Sequence, residues 1–176
     1  MTKLIRSLAV SAALFSPTLA DEEAPLFSNP SIDLGIVVKD IEKSAKFYTE
    51  ALGMTEVKGF TAPAEKATEF GLTDNQEVKV RKFVLDPKAK GPKTSSKLMS
   101  FPEAPGKAQD QKFIHSTLGV SYLTLFVSDL DKSIEKLRAA NVKFLGKTPS
   151  PLGGKTHILV FRDPDGNFIE FIGPMK

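Results

Sequence analysis

A short block of sequence occurs twice in this chain of 176 residues, and this repetition constrains the fold more than any other feature. In each copy an apolar run leads to an aspartate that opens a stretch with helical apolar spacing, and the second copy follows 89 residues after the first. The matched residues are Val38, Asp40, Lys43 and Ser44 in the first copy and Val127, Asp129, Lys132 and Ser133 in the second. The apolar run predicts a buried strand, and the aspartate predicts the N-cap of an amphipathic helix. The chain is therefore predicted to contain two related units that start alike.

Three further strands are predicted in each copy, from short runs rich in apolar and β-branched residues. They cover residues 55–60, 78–85 and 97–101 in the first copy and residues 142–145, 158–162 and 168–172 in the second. Gly53 and Asn141, which tolerate left-handed backbone, are predicted to end the two helices. An insertion at residues 64–70 predicts an extra helix in the first copy. The predicted boundaries are residues 31–101 for unit one, 102–119 for the linker and 120–174 for unit two.

The second copy ends in a turn and a strand that carries a single charged residue. The turn, Asp163–Asn167, contains Pro164 and Gly166, a combination typical of a tight hairpin. The strand after it, residues 168–172, is apolar on both faces except for Glu170. Such a strand is expected to be covered on both faces, where an ionised carboxylate needs a partner. A metal ion, a basic side chain or backbone N–H groups would each serve, and the residues alone leave this choice open.

Two strand–helix–three-strand units, the second closing on Asp-Pro-Asp-Gly-Asn with Glu170 three residues later, resemble the vicinal oxygen chelate superfamily. This superfamily includes glyoxalase I, bleomycin and fosfomycin resistance proteins, and extradiol dioxygenases. The resemblance covers nearly all of residues 21–176. It implies a single α+β domain in which two tandem βαβββ units form a cup-shaped, curved mixed sheet with the helices outside. The resemblance specifies a fold and not an activity, because this fold hosts many chemistries.

Metal enzymes of this superfamily hold a divalent ion inside the cup with four side chains, mostly His and Glu, from the first and last strands of each unit. The corresponding positions here are Asp33 and Tyr122 on the first strands, Glu170 on the last strand of unit two, and Lys97, Leu98 or Met99 on the last strand of unit one. Only Asp33 and Glu170 are ordinary ligands for zinc, nickel, manganese or iron. We therefore favour a cup without a cofactor, in which Lys97 compensates for the charge of Glu170.

Three further side chains are candidates for contact with a ligand. His115 lies in the linker and His157 lies on the strand that leads to the turn, and these are the only two histidines in the chain. Each can act as an acid or a base near neutral pH. Tyr122 can donate its hydroxyl to a bound oxyanion if it faces into the cup, and otherwise it fills the core as an aromatic ring.

The first twenty residues have the pattern of a secretory signal peptide. Lys3 and Arg6 precede an apolar segment at residues 8–15, and small residues follow up to Ala20, after which we expect cleavage. The rest of the chain has 22 basic and 21 acidic residues, a balance that gives no support for nucleic-acid binding. The absence of cysteine excludes disulfides and thiolate metal ligands. We expect a periplasmic or secreted protein that carries no membrane segment after cleavage.

Three functions are compatible with these observations. The favoured hypothesis is a protein that binds a small molecule in its cup without a conventional metal site, because the ligand set departs from the family pattern at half its positions. The alternative is a metal-dependent lyase or isomerase similar to lactoylglutathione lyase, in which Glu170 is catalytic and moves a proton. A third reading is a scaffold whose cup is filled by its own side chains. Whether the chain is an enzyme, and whether it forms a homodimer, stay open.

Overall fold

The computed structural model describes residues 26–176, which build two four-stranded sheets, each with a helix packed on one face. The expected signal peptide and its cleavage point after Ala20 lie outside the described residues. Across residues 26–176, no helix combines the length and the apolar character needed to cross a membrane.

Unit one follows the predicted order of elements and contains the inserted helix. Its elements are β1 (Asp33–Val37), α1 (Ile41–Lys46) with a π-helical continuation (Phe47–Ala51), β2 (Thr55–Ala62), α2 (Ala64–Glu69), β3 (Val78–Val84) and β4 (Ser95–Met99). The strands lie in the order β1-β4-β3-β2. β1 runs parallel to β4, and the other neighbours are antiparallel.

Unit two repeats this topology without the inserted helix. Its elements are β5 (Tyr122–Phe126), α3 (Leu130–Ala139), β6 (Ser150–Gly153), β7 (Thr156–Arg162) and β8 (Phe168–Pro174). The strands lie in the order β5-β8-β7-β6, with β5 parallel to β8. This arrangement confirms the predicted α+β fold of two tandem βαβββ units.

The two matched aspartates cap their helices as predicted. Asp40 accepts hydrogen bonds from the backbone N–H groups of Glu42 and Lys43 at 3.1 and 3.0 Å. Asp129 accepts one from the N–H of Lys132 at 3.0 Å. Each cap satisfies N–H groups that have no partner within the helix, so the two aspartates play the same structural role in both units.

The second strand of unit two was predicted at the wrong place. Residues 142–145 form only one isolated bridge, between Phe144 and Phe161, and β6 begins five residues later at Ser150. A turn separates the two segments, and Gly146 in this turn has left-handed backbone. The Thr148 hydroxyl accepts from the N–H of Val160, a donor that a continuous ladder would use. Regular pairing therefore resumes only after this turn.

Each sheet has two faces, and we call the face that carries Asp33 in unit one and Glu170 in unit two the inner face. The opposite, outer face packs against the helices. In unit one, Phe83 and Leu98 of this outer face are fully buried in a cluster with the α1 side. In unit two, the outer-face cluster contains α3 side chains together with Ala51 from the π-helical segment of unit one. The helical segment of unit one thus packs against both sheets and joins the units.

The inner face of unit one is modified by its two irregular features. The inserted helix α2 covers part of this face, because Ala67 is fully buried against Val78 and Val80. A bulge in β2 shifts the register between Val57 and Phe60. Gly59 is needed inside this bulge, since a Cβ atom there would lie 1.9 Å from the carbonyl oxygen of Val80.

Candidate functional site

A cleft with a volume of about 970 Å³ lies between the two units. Its walls are β1, the start of β5, linker residues between 101 and 111, and the turn that precedes β8. Val37 and Tyr122 of the inner face are among its lining residues. A volume of this size is at the upper end of the range for small-molecule sites, roughly 300–1,000 Å³.

The strand register shows which residue of unit one corresponds to Glu170. In unit two, Tyr122 on β5 pairs with Phe168 on β8, and Glu170 lies two residues after Phe168. In unit one, Asp33 pairs with Ser95, and Lys97 occupies the position two residues later. Lys97 therefore faces inward at the place equivalent to Glu170, whereas its neighbour Leu98 is buried in the outer-face core.

Lys97 pairs with Asp33 and not with Glu170, which corrects the expected partnership. Its Nζ lies 2.7 Å from Asp33 Oδ2, and Ser95 donates its hydroxyl to Asp33 Oδ1 at 2.5 Å. Lys82 of β3 lies farther from the same Asp33 oxygen, at 3.7 Å. The hydrogen bond from Lys97 is the main cause that holds the pKa of Asp33 below its usual range, followed by the bond from Ser95. The sequence could not show this pairing, because both residues belong to the same unit and meet only through the parallel register of β1 and β4.

Glu170 lies on the inner face of unit two and is half-buried, so the expectation of a fully buried carboxylate was too strong. Its Oε2 accepts a hydrogen bond from the hydroxyl of Thr124 at 2.8 Å. Thr124 stands directly opposite Glu170 on the neighbouring parallel strand. The partner that the sequence analysis sought for Glu170 is thus a neutral hydroxyl group.

Aromatic side chains are exposed on the inner face of unit two. Tyr122 is 46% exposed and Phe126 is 79% exposed, although both lie on a strand. The ring of Tyr122 therefore does not fill the core, and it borders the cleft instead. Exposed apolar groups gathered on one concave face are typical of a surface that binds a ligand or a partner.

Neither histidine lies with these inner-face groups. His157 pairs with Pro151 and Gly173 at positions of β7 that alternate away from Val160, the residue opposite Glu170, so its side chain is on the outer face. One of its ring nitrogens is 2.9 Å from the carbonyl oxygen of Lys155. His115 lies in the exposed linker, where its ring stacks on Phe113 at 5.5 Å.

Arg162 is an inner-face residue that the sequence analysis did not single out. Its guanidinium lies 4.3 Å from the ring centroid of Phe168. The same group donates hydrogen bonds to the carbonyl oxygens of Gln111 and Lys112, which fastens the linker over the inner face of unit two. The alternation of β7 does put Arg162 on the same side as Val160, but its linker partners cannot be read from the sequence.

The turn Asp163–Asn167 also joins the two units. Asp163 is buried and accepts hydrogen bonds from the N–H groups of Asp165 and Asn167 and from the side-chain amide of Asn167. Its fourth donor is the hydroxyl of Tyr48 in unit one, at 3.3 Å. Burial raises the pKa of Asp163, and burial together with the Asp163 charge raises the pKa of Tyr48. Asp165 extends the joint, because it accepts from Lys39 N and from the Ser44 hydroxyl, each at 3.0 Å.

The residues at the family's metal positions do not fit a divalent ion. The charge of Asp33 is already matched by Lys97, an ammonium group that occupies another of the four positions. Tyr122 stands at a third position, and Glu170 is bonded to Thr124. Within residues 26–176, no three His, Asp or Glu side chains are grouped in a way that could hold a metal. No reaction step through a metal is therefore derived for this site.

Comparison with known proteins identifies the family. The family model described as Glyoxalase/Bleomycin resistance protein/Dioxygenase superfamily matches residues 32–171. The protein YraH of Bacillus subtilis (strain 168) is 28% identical over 139 residues, which are 79% of this chain and 94% of YraH. A glyoxalase family protein from Bacillus cereus superposes with a TM-score of 0.69 at 18% identity, covering 89% of this chain and all (100%) of that one. TnmS3, an antibiotic binding protein from Streptomyces sp. CB03234, superposes with a TM-score of 0.54 at 22% identity, over 86% of this chain and 99% of its own. The chain described here belongs to the glyoxalase/bleomycin resistance protein/dioxygenase superfamily.

Proposed function

We propose that this protein binds an apolar or amphipathic small molecule in the cleft between its two units, without a metal ion. The observation that carries the proposal is the ion pair between Asp33 and Lys97, 2.7 Å apart at two of the four positions that hold the metal in enzymes of the family. The ammonium group supplies the positive charge that a cation would supply, but it is not a Lewis acid. A lysine at a metal-ligand position therefore favours ligand binding over Lewis-acid catalysis.

The inner face supports an apolar ligand with a polar group. Val37 and Tyr122 border the cleft from opposite units, and each leaves about half of its surface exposed. Covering such groups with a ligand would be favourable by about 25 cal/mol for each Å² of apolar surface removed from water. Glu170 and Thr124 lie on the same face as Tyr122 and offer a carboxylate and a hydroxyl for hydrogen bonds. The antibiotic binding protein TnmS3 shares the fold, which is consistent with a binding role for this scaffold.

Titration with the neutral, apolar dye Nile red tests this proposal. We expect saturable dye fluorescence that chelation with EDTA leaves unchanged. Tyr122→Ala should weaken dye binding by about tenfold, the loss of roughly 1.4 kcal/mol that removal of a contacting aromatic can produce. Phe70→Ala is the matched control, because Phe70 is an exposed aromatic that is not part of the cleft lining.

Elemental analysis of the same purified protein decides between this proposal and the lyase alternative. Zinc, nickel, manganese or iron bound at one ion per chain, and lost in Glu170→Gln, would overturn the metal-free proposal. If Phe70→Ala weakened dye binding as much as Tyr122→Ala does, the cleft would not be the binding site, and the proposal would be contradicted.

We also propose that the ligand is met outside the cytoplasm. The support is the charged, apolar and small-residue order of residues 1–20, which is typical of a cleavable secretory signal. The protein would then act in the periplasm or in the medium.

A further inference from the structure

A second, smaller pocket of about 300 Å³ lies on unit one. One wall is the inner face of the sheet, with Val57, Lys82 and Val84, and the other wall is the loop after β3, with Gly91 and Lys93. None of these residues lines the cleft between the units. The two sites are therefore distinct, and this one is small enough to suit a compact ligand.

One lysine of the sheet wall, Lys82, faces a second lysine, Lys97, which is not part of the pocket lining. Lys82 and Lys97 are directly opposite on the antiparallel strands β3 and β4, an arrangement that is unfavourable for like charges. Asp33 provides one carboxylate for the two ammonium groups, and Lys97 takes the short contact with it. Lys82 remains 3.7 Å from the same oxygen, beyond hydrogen-bonding reach, although its side chain is only 29% exposed. The cluster therefore keeps one uncompensated positive charge in a partly desolvated place.

The loop wall adds a further positive charge. Lys93 Nζ contacts the protein through a 3.3 Å hydrogen bond to the carbonyl oxygen of Gly91, a contact that an anionic acceptor can replace. Val57 and Val84 form the apolar part of the pocket lining. Two ammonium groups and an apolar floor are complementary to an oxyanion attached to a small apolar body.

We propose that this pocket binds a small organic anion, with Lys82 and Lys93 in contact with its carboxylate or phosphate group and the valines in contact with its apolar part. A bound anion would reduce the repulsion between Lys82 and Lys97, which are paired on neighbouring strands. The site stands independently of the proposed cleft ligand, because the two pockets share no lining residue.

Calorimetric titration with benzoate, phenyl phosphate and the neutral benzyl alcohol tests the site. We expect one anion to bind per chain and benzyl alcohol not to bind, and we expect Lys82→Met and Lys93→Met each to weaken anion binding by about tenfold or more. Tighter binding of benzoate assigns a carboxylate ligand, and tighter binding of phenyl phosphate assigns a phosphate ligand. Raising the salt concentration to about 0.15 M should also weaken anion binding by the unmodified protein, because salt screens the attraction between the anion and the lysines.

Lys79→Met is the matched control. Lys79 also lies on β3, but its side chain is 76% exposed and its Nζ is 3.1 Å from Glu77. We expect this variant to bind the anion like the unmodified protein, and we expect the same of Tyr122→Ala in the cleft. If Lys82→Met does not fold, Lys82→Gln replaces it. Equal binding of benzyl alcohol, absence of saturable binding by either anion, or equal weakening in Lys79→Met would overturn the proposal.

Discussion

The hydroxyl of Tyr48 in unit one donates a hydrogen bond to Asp163 in unit two over 3.3 Å, and both side chains are buried. The acceptor is the first residue of the turn whose composition predicts a hairpin. Three other donors from that turn surround the same carboxylate. A local turn motif thus also holds the two units together, with the helix of unit one as the contact.

Removing the hydroxyl of Tyr48 tests this joint. Tyr48→Phe should lower the free energy of unfolding by about 1 kcal/mol, because a buried charged acceptor loses one of its donors. Urea unfolding monitored by circular dichroism measures the change. Tyr122→Phe is the matched control, since Tyr122 is the only other tyrosine and is 46% exposed. Equal losses in the two variants would contradict a specific role for the bond to Asp163.

The partner of Lys97 can be identified by two double-mutant cycles. Lys97→Met combined with Asp33→Asn should show a coupling energy of about 1 kcal/mol, intermediate between exposed and buried ion pairs, because both side chains are partly exposed. Lys97→Met combined with Glu170→Gln should be additive to within about 0.5 kcal/mol. The free energy of unfolding in urea is measured for the three single and two double variants. Coupling to Glu170 in place of Asp33 would contradict the register described for β1 and β4.

The stability that Asp33 provides should depend on pH. Its pKa is lowered on folding, chiefly by the hydrogen bond from Lys97, so its contribution is present above the unfolded pKa of about 3.9 and is lost as the pH falls through the lower folded value. The difference in unfolding free energy between the unmodified protein and Asp33→Asn should therefore be larger at about pH 7 than at about pH 3.

The raised pKa of Asp163 changes stability with pH in the opposite direction. The stability that this shift contributes is lost as the pH rises through the folded pKa of Asp163. For this reason the Asp33 effect has to be measured as a difference between the two proteins. Asp74→Asn, at an exposed position, provides the control. A pH-independent difference would contradict the ion pair.

The two capping aspartates should affect stability and not ligand binding. Asp40→Ala and Asp129→Ala should each cost about 1 kcal/mol, because each removes the acceptor for N–H groups at the start of a helix. Thermal unfolding measures the loss, and titration with Nile red and phenyl phosphate at a temperature where both variants are folded measures binding. Weaker binding by a variant of unchanged stability would show that the aspartate belongs to a site.

The exported protein should begin at Asp21. Ala20 is the last of the small residues behind the apolar segment, which makes the bond after it the expected cleavage point. Mass spectrometry of the protein recovered from the periplasm or the medium of expressing cells measures the mature N-terminus. Recovery of a chain that still contains residues 1–20, or retention of all the protein in the cytoplasm, would contradict the proposed export.

The sequence predicted those parts of the fold that depend on local signals. Asp40 and Asp129 identified the helix starts, and Gly53 and Asn141 have the left-handed backbone expected of residues that end helices. Residues 142–145 were predicted as a strand from their apolar character. That character instead reflects packing of Val142 and Phe144 against the core of unit two.

The candidate site was less predictable because its contacts join distant segments. The alignment of the two copies identified Lys97 as a candidate for the position in unit one that is equivalent to Glu170. Its contact with Asp33, however, depends on the parallel register between β1 and β4. Tyr48 is fully buried, and its bond to Asp163 depends on how one unit docks on the other. Arg162 contacts the linker, whose path has no periodic pattern that a sequence could reveal.

The bulge at Gly59 determines which side chains of β2 lie on the same face as Lys82 and Lys97. Between Val57 and Phe60 the strand advances three residues while β3 advances two, so both side chains point to the inner face and Phe60 lies beneath Lys97 Nζ at 5.6 Å. If the same three-residue spacing were paired in strict alternation without a bulge, everything from Phe60 onward would lie on the opposite side. The ring would leave the ammonium group, and the inner wall would change its chemistry without any substitution in it. For this strand, the number of residues between two pairing points determines the composition of the surface as much as their identity does.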